Sequence, residues 1–548
     1  MNLFNSKNLA LITVIVATIS GCGGGEGGSY SSTTTERQSD YSSVNKDITI
    51  TGSNQIFTIN KASGNNHIKL HINGSKSIYA IVTSRFAKQS VNISSSLNAN
   101  ATKGFKQSNK KINIEQDTLA KKSRIYTPKS VLQFREEVDN LLHRVSDANI
   151  TTAKPNYRLN SKSKRETSTS FCVGMDSSHN CTASIDATIK KVVANVNTAH
   201  GKKTLVVWLE QGNTQVNQSD INNLANIFLR HGGDNDIYDW DTNIYGAEWA
   251  ADAQEADANL IPNSNTINIL LYNMNSGSLA GYFWPKDNFK SSNIPASNEK
   301  IMFYINTQLL RVDAKETYTT LAHEFQHMIH FYQRNVLRGI KDSTWFDELM
   351  SETTEDLLAT KIGYHGPRNV SPYDGSAGRA GNRGGRFPNF NRYNTSSITA
   401  WYNTASDYSK VSSFGTYLLR NYGGASLLNK LMYSDNSDES AITEATGLAN
   451  FKDLVRKWGA AVILSDKTNA PQKYQYNFGD FKPTEFNGIR YSLGSINFFN
   501  YTPNPQFKSS SRLKNNSNLY YKAGYNLHGD VELNINVEKG ADITIIAK

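Results

Sequence analysis

Hydrophobic positions change period along this chain, and each change marks a different kind of element. From Asp47 to Ser95 the apolar residues alternate in short runs, Ile48-Thr-Ile50, Ile56-Phe-Thr-Ile59, Ile68-Lys-Leu-His-Ile72 and Ile78-Tyr-Ala-Ile-Val82, parted by Gly, Asn and Ser. Period-two patterning with such turns predicts a small all-β domain over 47–100. Residues 101–168 are polar, with one helical pattern near Val131 to Val145 in which Leu132, Val138, Leu141 and Leu142 are apolar. Beyond Cys181, Leu205–Leu209, Ile267–Tyr272, Gly281–Trp284 and Ile301–Ile305 read as strands, and Asp220–His231 as an amphipathic helix stopped by Gly232-Gly233. Helical patterns dominate from Asp313 to about Ser465, interrupted by a Gly/Arg/Asn-rich loop over 366–394, and alternation returns in Val531–Val537 and Ile543–Ile546. The expected fold class is α+β and multi-domain, with a central domain over 169–470 and a C-terminal β module over 471–548.

The first residues hold one charge, Lys7, then the apolar run Leu9–Ile19. That run is shorter than the ~20 residues of a membrane span, so 1–21 reads as an export signal. Ile19-Ser20-Gly21-Cys22 resembles a bacterial lipobox, which implies cleavage before Cys22 and lipid on that residue; ordinary secretion is the alternative. The Gly- and Ser/Thr-rich stretch over 22–46 then serves as a flexible tether. The expected location is the bacterial cell envelope, lipid-anchored outside the cytoplasm. Cys172 and Cys181 remain as a pair in an oxidising compartment, and a disulfide is expected, with a two-thiol metal site as the rival reading.

Charge changes the picture in one segment only. The formal net charge is +10, and residues 103–165 carry 15 Lys or Arg against six Asp or Glu. Aromatic residues among these basic ones are sparse, Phe105, Tyr126, Phe134 and Tyr157 only, so a single-strand nucleic-acid platform is set aside. A basic linker or pro-segment remains, and Lys162-Ser-Lys-Arg165 is a candidate processing point within it. A monomer is expected.

The candidate chemistry sits on the helix opened by Asp313-Ala-Lys-Glu316, which has the form of a capping box. Leu321, Phe325 and Met328 fall on one face, and His323, His327 and His330 on the opposite one. His323-Glu324-Phe325-Gln326-His327 is an HExxH pattern: two imidazoles one turn apart can converge on a tetrahedral ion, with Glu324 beside a water on it. A third protein ligand is needed. The elongated metzincin pattern would put Gly at 330 and His at 333, where this chain has His330 and Gln333. Ser343 to Glu355 instead offers a second helix with Glu348, Glu352 and Glu355 at i, i+4 and i+7. Glu348 is expected as the metal carboxylate, and Glu352 as the acceptor for the second ring N–H of a ligand histidine. A solvated acidic face is the bland alternative.

Thr320-Leu-Ala-His-Glu-Phe-Gln-His-Met-Ile329 followed by Trp345-Phe-Asp-Glu348-Leu-Met-Ser-Glu352 resembles the gluzincin zinc metallopeptidases, and closely the hyicolysin family, over roughly 204–465. The resemblance implies a zincin-like central domain and one catalytic Zn2+ on His323, His327 and Glu348. It implies Glu324 as general base in peptide-bond hydrolysis. It also implies a Tyr donor to the oxyanion some sixty residues beyond the ligand Glu, which points to Tyr408, with Tyr417 as runner-up. Two departures stand out: the family commonly has Asn where this chain has His330, and Gly where it has Leu349. His330 is thereby left between supporting the ligands and standing by.

The function expected is a membrane-tethered extracytoplasmic zinc endopeptidase acting on proteins or peptides. Gly281–Trp284 would be the edge strand that holds an extended substrate. The alternatives are a non-catalytic binding lipoprotein on the same scaffold, such as an adhesin or pseudopeptidase, and a purely structural envelope lipoprotein. Asp234, Asp236, Asp239 and Asp241 suggest Ca2+ without a full ligand set.

Overall fold

The computed structural model describes residues 37–97, 127–142, 167–277, 279–363, 385–479 and 481–548. In chain order its elements begin with strands β1 (Asn45–Ile50), β2 (Gln55–Ser84) and β3 (Gln89–Leu97) and helix α1 (Lys129–Leu141). Then come β4 (Ser168–Met175), β5 (Cys181–Thr198), β6 (Gly201–Glu210), α2 (Gln218–Phe228), α3 (Ile237–Tyr245), α4 (Asp252–Ala256), β7 (Thr266–Tyr272), β8 (Gly281–Phe283) and β9 (Ile301–Asn306). The helical part holds α5 (Thr307–Val312), α6 (Ala314–His330), α7 (Thr344–Ile362), α8 (Arg386–Tyr393), α9 (Ala405–Tyr422), α10 (Ala425–Tyr433), α11 (Asp438–Thr446) and α12 (Phe451–Ile463). Strands β10 (Lys482–Phe486), β11 (Ile489–Leu493), β12 (Ser510–Leu513) and β13 (Asn518–Ala547) end the chain.

The strands expected as an N-terminal and a C-terminal module lie in one sheet, ordered β1-β2-β13-β3-β12. Each alternating stretch offers one apolar face, and pairing buries both: Ile68 and Leu70 of β2 share a core with Leu533 and Ile535 of β13. The turns expected between 56 and 82 are instead bends within one long strand, taken at Lys61, Gly64 and Gly74 with positive φ. Curling lets Ile543 of β13 pair with both Ile59 and Val82 of β2.

The second sheet runs β4-β5-β6-β7-β9-β8. Its centre, β6, β7 and β9, is parallel, and β8 lies antiparallel on β9 as the end strand. The pattern had not suggested β5, because more than half of its side chains are exposed and only Ala187 and Val196 are buried, with Ile185, Ile189 and Val193 partly buried against the core. Cys172 of β4 and Cys181 of β5 form a disulfide.

Helix α6 packs its Phe325 edge-on against Phe228 of α2, centroids 5.1 Å apart, and Phe228 meets Phe303 of β9 at 5.4 Å. Asp313 caps α6 by accepting from the Glu316 amide at 3.1 Å, and the helix continues as a wider π turn over Phe331–Val336. Gly281 lets β8 press onto α6, since a Cβ there would meet Tyr304 O at 2.6 Å and Thr320 Cγ2 at 3.0 Å. On the far side, Gly415 lets α9 close on α7, where a Cβ would collide with Thr353 Oγ1. Residues 386–393, expected within a loop, form α8. Among the described residues no helix is long and apolar enough to cross a membrane. The signal, lipobox, tether and Lys162–Arg165 expectations fall outside the described residues, the tether except for its last ten.

Candidate metal centre

Helices α6 and α7 pack together under the edge strand β8 and bring three buried ligand atoms to one point. His323 Nε2 and His327 Nε2 are 3.1 Å apart. Glu348 Oε2 lies 3.3 Å from the first and 3.6 Å from the second. Atoms bound about 2.0–2.1 Å from a tetrahedral ion stand about 3.3–3.4 Å from one another, so these edges match a tetrahedral face. Glu348 Oε2 is buried and has no hydrogen-bond partner. An orphaned carboxylate oxygen facing two imidazole nitrogens is costly unless a cation joins them. The donor set of two imidazoles and a carboxylate suits zinc.

Each imidazole is held from behind. His323 Nδ1 lies 2.8 Å from Glu355 Oε1, and His327 Nδ1 lies 2.8 Å from Asp347 Oδ1. Such partners fix ring orientation and leave Nε2 free to bind. Burial pushes both rings toward neutrality, helped at His327 by the Arg135 charge. The carboxylates outweigh this, Glu348 and Glu355 at His323 and Asp347 and Glu348 at His327, so both rings titrate above the ordinary histidine range. Burial likewise opposes ionisation of Glu348, yet the two imidazoles hold its carboxyl well below the usual range.

The place expected for Glu352 is taken by Glu355, because Glu352 is drawn away by Arg386 of α8. The guanidinium donates through Nε at 2.8 Å and Nη2 at 2.5 Å. Burial, offset in part by Arg386, raises the Glu352 carboxyl to about 7. His323, Glu352 and Glu355 form a second three-residue grouping of metal-binding types, but there His323 Nδ1 and the Glu352 carboxylate are already engaged by Glu355 and Arg386. His330 sits one layer out: Nε2 lies 3.0 Å from Asp342 Oδ2, and Nδ1 is 3.5 Å from Asp347 Oδ1.

Glu324 projects beside the ligand atoms, and the Phe283 amide of β8 donates to its Oε2 at 2.8 Å. Tyr408 of α9 is fully buried and near enough to Glu348 to feel its charge; burial first, then that charge, hold the phenol well above its ordinary range and therefore neutral. Its hydroxyl lies 3.0 Å from Thr127 Oγ1 and 3.3 Å from Asn403 Oδ1. Tyr417 instead donates to Lys473 O at 2.8 Å. Of the four aspartates considered for Ca2+, Asp236 caps α3 by accepting from Asp239 N at 3.0 Å, and none belongs to a metal-type cluster among the described residues.

Two residues at the centre had no local signal in the sequence, Asp347 and Arg135, while Glu355 was legible only as part of the acidic stripe. Arg135 of α1 reaches the centre, with Nη1 3.4 Å from His327 Nε2 and 3.5 Å from Glu348 Oε1. A cavity of about 500 Å³ opens beside it, walled by Phe283, Trp345 and Trp401 and by Asp342 and Asp347.

Residues 186–478 match the family model described as Peptidase M30. A 115-residue stretch is 30% identical to the neutral metalloprotease ShpI of Staphylococcus hyicus. That stretch covers 18% of this chain and 26% of the relative, so the match spans about a quarter of the relative's length.

Proposed function

Since the chain belongs to the peptidase M30 family, we propose that it is a zinc metalloendopeptidase, with His323, His327 and Glu348 holding one Zn2+. The observation that carries the reading is the buried, unpartnered Glu348 Oε2 facing two imidazole nitrogens at tetrahedral-edge distances. The metalloprotease named among the relatives supports it.

Zinc bound there would supply a Lewis acid that brings the pKa of a water to about 7 and polarises a peptide carbonyl. The protein does the rest. Glu324 has one oxygen anchored by the Phe283 amide, which leaves Oε1 to accept the proton from the attacking water and return it to the departing amine. Tyr408, kept neutral by burial, carries a proton it can donate to the carbonyl oxygen as charge develops there. Phe283 also turns its carbonyl outward from β9, on the end strand of the sheet, where an extended peptide can add as a further strand. The cavity beside His327 then receives a substrate side chain. Lipidation at Cys22 and a place in the cell envelope belong to the same proposal and rest on the signal-like first 22 residues alone.

The test is zinc content together with peptide cleavage for the natural chain and for Glu324→Gln. The expected result is about one zinc per chain in both, with cleavage lower in the variant by about 10²–10⁴-fold. A folded chain without zinc, or equal cleavage by both, would overturn the reading.

A further inference from the structure

Helix α1 comes from the basic segment ahead of the central domain, yet it lies across the cleft. Val131, Phe134 and Val138 are buried, with Phe134 edge-on to His179 at 5.7 Å and to Phe289 at 6.0 Å. Its C-terminal half is held by Asn335, which donates to Asp139 Oδ1 at 3.1 Å, and by Lys341, which donates to Glu136 O at 3.2 Å. Ahead of its N-terminus, Thr127 meets the Tyr408 hydroxyl at 3.0 Å and accepts from Asn403 through its carbonyl at 3.0 Å. The helix is thus fastened to both banks of the cleft.

Arg135 projects from the middle of this span. Its Nη1 stands 3.4 Å from His327 Nε2 and 3.5 Å from Glu348 Oε1, the other oxygen of that carboxylate, so the guanidinium lies against two of the three candidate ligands. Its Nη2 donates at 3.0 Å to Phe283 O, the acceptor an added peptide strand needs, and lies 3.9 Å from Glu324 Oε2. Thr127 at the same time engages the hydroxyl of Tyr408. One short segment therefore contacts the edge strand, the base and the proton donor together, and a guanidinium cannot serve as a metal ligand or a nucleophile in their place.

We propose that residues 127–141 are an internal occupant of the substrate cleft, seated by Arg135 and Phe134, which must leave before a peptide can bind. The inference rests on the peptidase reading of the cleft. Its recognition is that of an arginine-bearing helix by an acidic, aromatic-walled groove, and its consequence is a full chain that turns over slowly until the helix is displaced.

The test uses the zinc-loaded full chain, with Arg135→Ala and Phe134→Ala as two independent ways of loosening the helix. Peptide cleavage should rise at least tenfold in each, and a peptide hydroxamate should bind at least tenfold more tightly. Hydrogen exchange gives a readout apart from turnover: the hydroxamate should expose the amides of 129–141 while those of α6 stay protected. Zinc present throughout, with no gain from either variant and 129–141 equally protected with and without the hydroxamate, would overturn the proposal and leave the peptidase reading standing. Folded chains that hold no zinc would remove both.

Discussion

Glu355 Oε1 lies 2.8 Å from His323 Nδ1, so the carboxylate two turns beyond Glu348 holds the first imidazole of the candidate centre in place. Zinc affinity should therefore depend on a residue that does not touch the ion. Glu355→Ala should weaken zinc binding by about 10–100-fold, read by competition with a chelator, without unfolding the chain. Unchanged affinity would mean that packing alone orients His323.

Tyr408→Phe removes one hydroxyl and little volume. If that hydroxyl stabilises the developing oxyanion, kcat should fall by about 10²–10³-fold with KM and zinc content nearly unchanged. A rise in KM alone would assign Tyr408 to substrate binding instead.

Asp241 is fully buried in α3, neither of its oxygens has a hydrogen-bond partner, and burial raises its carboxyl well above the usual range. The sign follows from linkage. Below the unfolded-state pKa of about 3.9 both states are protonated and nothing is lost; above it the unfolded chain ionises first, and stability falls as pH rises toward the folded-state pKa. Asp241→Asn should thus stabilise the protein at pH 7, by about 1–3 kcal/mol, and hardly at all near pH 3. Thermal unfolding at the two pH values checks this, and an equal shift at both would contradict it.

Gly415→Ala should be costly although alanine favours helices, because the added methyl would meet Thr353 Oγ1 across the α7–α9 contact. We expect a loss of about 1–3 kcal/mol in denaturant unfolding. Restoration in the double variant Gly415→Ala/Thr353→Ala, measured against Thr353→Ala alone, would show that the clash with the hydroxyl oxygen, not the backbone, is responsible; no restoration would contradict that cause.

What was legible in the chain follows from what is local. His323, His327 and Glu324 lie within one helical turn or so of each other, and the apolar stripe of Leu321, Phe325 and Met328 dictates which way they face. Glu348 was legible as part of a second stripe. The choice between Glu352 and Glu355 was not, since both lie on that stripe and the decision is made by Arg386, which arrives from a stretch without clear periodicity. Likewise β5 hides its strand character because more than half of its side chains are exposed, and the pairing of β2 with β13 joins positions more than 400 residues apart. Arg135 is one basic residue among many in its segment. Only docking of Phe134 and Val138 aims it at the centre.

The most direct test of the central claim is anomalous diffraction at the zinc edge from crystals of the full chain. One peak is predicted, about 2.0–2.2 Å from His323 Nε2, His327 Nε2 and a Glu348 oxygen. No peak among these three atoms, or a peak held by other side chains, would contradict it.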